Sequence, residues 1–150
     1  MSEIHPEKNL ILEGANVLTI KKNNKKYGMT FAWGMQADED KLLAIIGGQS
    51  VTGHQLEKGD RVGISSLNID QSTIVHLFGD YHSNLIDKFD NDYLEEIDGV
   101  LLVKEATREL VCEVIDILYL PDNNEDFLIY FKVKKKINNP KKFLDYYSIK

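Results

Sequence analysis

Between Gly47 and Leu56 the chain reads Gly-Gly-Gln-Ser-Val-Thr-Gly-His-Gln-Leu, directly after the apolar run Leu42–Ile46. A strand that breaks at glycines and turns into a helix start presents backbone N–H groups and the positive end of a helix dipole, a setting that suits a phosphate. Ser50 and Thr52 can each donate a hydroxyl hydrogen bond to the same oxygens, with Gln49 and Val51 in the same turn. These residues also fit a plain N-cap after a glycine turn, Ser50 or Thr52 capping a helix that runs through Glu57 and Lys58. His54 falls within the first turn of that helix, where it meets either the phosphate or the surface.

The second chemical feature is the stretch Gly28–Gln36, read as one strand. Side chains alternate along a strand, so Met29, Phe31, Trp33 and Met35 share a bulky face, and Thr30, Ala32, Gly34 and Gln36 share a small or polar one. The bulky face can enter a core. The small face leaves room for a flat ligand close to the backbone, or for a packed helix or neighbouring subunit. Trp33 fits a core or interface aromatic better than a stacking platform. Together the two features point to a planar, phosphorylated cofactor.

The elements that must position them are mostly strands. Val17–Lys22 is β-branched and stops at Asn23-Asn24, a hairpin tip leading into Gly28–Gln36. Leu42–Ile46 is apolar throughout, as expected for a short strand covered on both faces. Arg61–Ser66, Val100–Val103, Arg108–Leu120 and Phe127–Lys136 read as further strands, with Pro121–Asp126 a hairpin turn between the last two. Gln71–Phe78 reads as a short helix, and Ser83–Phe89 as a short helix or ordered loop. Residues 1–9 read as a flexible lead-in. Strands with a few short helices favour a mainly β fold, a barrel with helical crossovers, over a doubly wound sheet. Neither GxGxxG nor a Walker sequence is present.

The 150 residues are expected to form one domain. A formal net charge of −6 disfavours nucleic acid as a partner. Cys112 is the only cysteine, so an intrachain disulfide and a cysteine metal cluster are both excluded. Flanked on its own face by Leu110 and Val114, it reads as a buried structural thiol. No apolar run is long enough to span a bilayer and the N-terminus has no signal-like core, so a cytoplasmic protein without a membrane partner is expected.

Taken in order, Met29-Thr30-Phe31-Ala32-Trp33, the run LLAIIGGQSVTGHQLEKGD with Ser50, Thr52, His54 and Leu56, then Ser83 with Asp87-Lys88-Phe89, and the strand ELVCEVIDILYL resemble the flavin reductase-like family. The resemblance spans roughly residues 15 to 147. It implies an FMN-binding split β-barrel, Greek-key-like and six-stranded, in a homodimer with FMN near the subunit interface. It further implies that the Met29–Gln36 backbone lies along the ring and ribityl chain. Ser50 and Thr52 would hold the phosphate with Lys88 as a further contact, and Asp87 would orient Lys88.

Two activities follow from the resemblance. One is an FMN-dependent oxidoreductase that takes hydride from NADH or NADPH and passes electrons to a further acceptor. No catalytic side chain is expected, because the cofactor does the chemistry. The other is an FMN-binding electron carrier reduced by a partner protein. The carrier reading rests on the final hairpin, Asn123-Asn124-Glu125-Asp126, where many members carry Gly-Asp-His.

Overall fold

The computed structural model describes residues 15–31, 34–47, 50–79, 93–120 and 126–139. The expected lead-in, the Ser83–Phe89 segment and most of the Pro121–Asp126 turn lie outside these residues. In chain order the elements are β1 Asn16–Lys22, β2 Lys25–Phe31, β3 Gly34–Asp38, β4 Lys41–Ile46, a 3-10 turn Gly53–Gln55, β5 Arg61–Ser66, α1 Ser72–Gly79, β6 Leu94–Ile97, β7 Val100–Val103, β8 Arg108–Tyr119 and β9 Phe127–Asn138.

Seven of the strands form one antiparallel sheet in the order β2-β1-β5-β8-β9-β4-β3. β2 and β3 are its two edges, yet only two residues separate Phe31 from Gly34. Seven strands laid flat would set the edges about 29 Å apart, whereas three Cα–Cα steps span at most about 11 Å. The sheet therefore curls until its edges meet at that corner. The two edges do not pair with each other among the described residues, so the barrel is split rather than closed. The expected Gly28–Gln36 strand is thus two strands on opposite edges, and the sheet has seven strands where six were implied.

Turn chemistry sets the local geometry. Asn23 and Asn24 both adopt positive φ (53° and 61°), the left-handed conformation that a two-residue hairpin needs and that asparagine tolerates. Asp98 and Gly99 repeat the device (50° and 84°) in the separate β6–β7 hairpin. That Asp-Gly pair is the signal for β6, a strand absent from the sequence-based assignment.

The curled sheet encloses one apolar core. Leu18, Ile64, Leu110, Ile129 and Phe131 are fully buried in it, and Cys112 packs among them as expected. β4 sends Leu42, Ala44 and Ile46 inward, but Leu43 and Ile45 on its other face are only half-buried, so it is not covered on both faces. Met35 is 59% exposed because it follows β3 to the outer face, opposite Leu43, rather than entering the core with Phe31.

A second layer covers part of the outer surface. Val17, Leu67, Ile74, Phe78 and Val103 cluster where α1 and β7 meet the sheet, and Val100, Leu102 and Val111 join the hairpin to β8. The hairpin approaches so closely that β5 needs a glycine beneath it. A Cβ on Gly63 would clash with the Leu101 carbonyl oxygen and stand 2.8 Å from both Leu102 Cδ2 and Thr19 Oγ1. Gly63→Ala should lower the unfolding free energy by about 1–3 kcal/mol, read from the denaturant midpoint. An unchanged midpoint would mean that the hairpin does not press on Gly63.

Candidate functional site

Ser50 organises the turn after β4. Its N–H donates to the Gly47 carbonyl at 3.0 Å, and its Oγ accepts the Gly53 N–H at 2.8 Å. Its hydroxyl proton points at Met29 Sδ, 3.0 Å away on β2. Two stretches read separately in the sequence are thereby in contact.

The expected helix through Glu57 and Lys58 does not form. Only the 3-10 turn Gly53–Gln55 follows, and Leu56 leaves it in an extended conformation (ψ 135°) to enter the core. Thr52 is already helical in backbone and makes no side-chain cap. Ser50 does the capping, and a single turn carries little of the dipole invoked for a phosphate. What stops the helix is the next turn. Asp60 Oδ2 accepts the Glu57 N–H at 2.9 Å and also accepts from Lys22 Nζ at 2.9 Å. Lys22 Nζ further donates to the Gln55 carbonyl at 2.8 Å and to Glu57 Oε1 at 2.6 Å. Burial pulls the Lys22 ammonium pKa down, but Asp60 and Glu57 outweigh it and hold it above the ordinary value.

Gly53 is required by packing. A Cβ there would stand 2.6 Å from Ile46 Cγ2 and 2.9 Å from Phe127 Cζ. The turn is therefore seated on the ends of β4 and β9. Beside it, His54 is exposed with its ring 5.8 Å from that of Phe127, which lies 5.9 Å from Tyr119, itself 74% exposed.

Of the residues assigned to a cofactor, the structure brings Met29, Ser50 and the adjoining Val51 and Thr52 to one place. Thr30 is half-buried on edge strand β2, while Phe31 is buried in the core. Thr52 is 1% exposed, so its side chain faces protein. His54 lies on the outer side of the turn. Ala32, Trp33, Gln49, Ser83 and Lys88 lie outside the described residues.

Sequence reasoning missed a buried polar row at the end of the barrel next to Phe31. Asn16, Ser66 and Arg108 are neighbours in register across β1, β5 and β8, all buried, and Ser66 Oγ donates to Asn16 Oδ1 at 2.6 Å. The available signal was alternation: Arg108 shares the face of Leu110 and Cys112. Burial raises the Cys112 thiol pKa, which keeps it inert. No group of three metal-ligating side chains occurs among the described residues, and no helix there is long and apolar enough to cross a membrane.

Residues 11–147 match the flavin reductase like domain, and the chain belongs to that family. No curated protein matches it in sequence. Among solved structures it is similar to the NADH:FAD oxidoreductase SgcE6 of Streptomyces globisporus C-1027, with TM-score 0.78 and 19% identity over 87% of this chain and 79% of that one. It is also similar to an FMN-binding protein from Thermus thermophilus with bound p-hydroxybenzaldehyde (TM-score 0.73, 17% identity, 85% and 72% covered). A third is flavoredoxin from Methanosarcina acetivorans (TM-score 0.73, 13% identity, 93% and 76% covered). At these identities the likeness establishes the fold, a split barrel of the flavin reductase kind.

The Lys22 cluster predicts its own measurement. Lys22→Met should speed amide exchange at Glu57 roughly five-fold, equivalent to about 1 kcal/mol for a partly exposed charge cluster, without affecting exchange at Ile129 in the barrel core. Unchanged exchange at Glu57 would mean the turn holds without the ammonium.

Proposed function

We propose that this chain is an FMN-binding oxidoreductase of the flavin reductase type, reduced by NADH or NADPH and passing electrons to a further acceptor. The observation that carries the reading is the contact between Ser50 and Met29, within a family match over residues 11–147. A thioether is a weak acceptor. A phosphate oxygen offers the Ser50 hydroxyl a far better one without disturbing the Gly53 N–H that Ser50 already accepts. The residues present fit the group on this count, with Ser50 as the phosphate donor and Thr52 supporting the turn from beneath. The edge strand β2, with Met29 and Thr30, borders the place for the flat ring.

Bound FMN would supply the redox chemistry, accepting hydride from the donor. The chain's part is to bind and orient: Ser50 holds the phosphate end, and Gly53 and Lys22 keep the turn rigid. No described acid or base needs to move a proton. Lys88, Ser83, Gln49, Ala32 and Trp33 complete the proposed contacts. Ser50→Ala should weaken FMN at least ten-fold while weakening riboflavin less than two-fold, as expected for loss of one charge-assisted hydrogen bond of about 1.5–3 kcal/mol. Equal weakening of both would show that Ser50 does not face the phosphate. The FMN-loaded protein mixed anaerobically with NADH or NADPH should lose its flavin colour promptly. Loss of colour only with a reduced protein partner would establish the carrier instead, the reading favoured by the Asn123–Asp126 hairpin and compatible with the likeness to flavoredoxin.

The proposal includes a homodimer. Met35 and Leu118, 59% and 51% exposed, point outward on the same side of the sheet as the half-buried Leu43, Ile45, Leu128 and Tyr130. Neither α1 nor the β6–β7 hairpin packs on this face. Such a patch is characteristic of an interface. Leu118→Asp with Met35→Glu should convert a dimer to a monomer in light scattering. A wild-type chain that scatters as a monomer at all concentrations would exclude the dimer.

A further inference from the structure

β8 opens with two buried charged residues side by side, Arg108 and Glu109, 0% and 2% exposed. Alternation sends them to opposite faces: Arg108 inward with Leu110 and Cys112, Glu109 outward with Val111, beneath the β6–β7 hairpin. Glu109 Oε2 accepts from Asn139 Nδ2 at 2.8 Å. Asn139 is itself anchored, its backbone N–H donating to the Thr107 carbonyl at 3.0 Å and its Nδ2 also to the Ala106 carbonyl at 2.6 Å. Among the described residues Glu109 Oε1 has no donor, and the side chain that faces Glu109 from β6 is a second carboxyl, Glu95.

Among the described residues the other neighbours supply no compensating charge. Across the sheet Glu109 is in register with Ser65 of β5 and Ile137 of β9, both neutral. The charged groups of the hairpin are engaged elsewhere, the Glu96 carboxylate with Lys21 and the Asp98 carboxylate with Lys135. Lys104 and Glu105, just after β7, are exposed. Two ionised carboxylates in contact, one of them out of water, repel each other and leave Oε1 without a donor. A single proton corrects both faults, neutralising one carboxyl and hydrogen-bonding it to the other.

We propose that Glu95 and Glu109 share one proton, that this proton latches the β6–β7 hairpin onto the barrel, and that the latch weakens as the medium becomes alkaline. The latch is a property of the chain alone and does not depend on a bound flavin.

Burial, and then the Glu95 carboxyl, raise the Glu109 pKa from 4.5 to about 8, against the opposing bond from Asn139. A raised value means that the closed hairpin holds a proton which the released hairpin gives up. The stabilisation is complete below the ordinary value of 4.5 and is lost as pH rises through about 8.

The amide of Val103 reads the latch, because it bonds the hairpin to Ser65 Oγ of β5 at 3.0 Å. Corrected for base catalysis, its opening constant should rise by up to about tenfold per pH unit between about pH 5 and pH 8 and then level off. Glu109→Gln, which keeps a neutral donor at every pH, should abolish that slope. A flat wild-type profile, an unchanged slope in Glu109→Gln, or the same slope at Ile129 in the barrel core would overturn the proposal. Carboxyl carbon NMR of the unaltered chain decides the matter even if the variant fails to fold. One glutamate should titrate near 8, and every glutamate titrating in its ordinary range would exclude the shared proton.

Discussion

The short link from Phe31 to Gly34 constrains everything else in this molecule. It joins the two edges of a seven-stranded sheet, so the sheet has no option but to curl. Curling makes the inner face concave, and its alternating side chains become a continuous core from Leu18 to Phe131. The same closure brings β2 from one edge toward the end of β4 near the other. Only then can Ser50, beyond β4, reach Met29 on β2. The candidate site is a direct consequence of closing the sheet.

What sits at that site is a compact turn rather than a helix. Three devices hold it: the Ser50 cap on Gly53, the absence of a Cβ at Gly53 against Ile46 and Phe127, and Lys22 drawing Gln55, Glu57 and Asp60 together. Each uses a different kind of interaction. A turn held in this way can present a hydroxyl at fixed geometry without a long helix behind it. Preorganisation of this kind lowers the entropy lost when a ligand binds.

Strand positions were legible because alternation and β-branching report them directly. Arg61–Ser66 and Val100–Val103 have the extents read from sequence, and the ends of β1, β8 and β9 differ by one or two residues. The ordered motifs named the family because order and spacing survive where identity has fallen to below 20%. Three features were not legible for physical reasons. The helix after Ser50 was overridden by Asp60 and Lys22, partners remote in sequence. The division of Gly28–Gln36 follows from pairing with two different strands, which local composition does not encode. Burial of Arg108 and Glu109 arises from neighbouring strands and the overlying hairpin, and charged residues at a strand start ordinarily face solvent.

On the proposed reading, curling the sheet creates a flavin site where β2 meets the Ser50 turn. Titrating the flavin-free chain with FMN while following its backbone amide resonances tests that claim most directly. The largest shifts are expected at Met29, Thr30 and Phe31 and from Ser50 to Gln55, with little change at Leu101 and Leu102 in the β6–β7 hairpin. Shifts confined to the hairpin, or no shifts at saturating FMN, would contradict it.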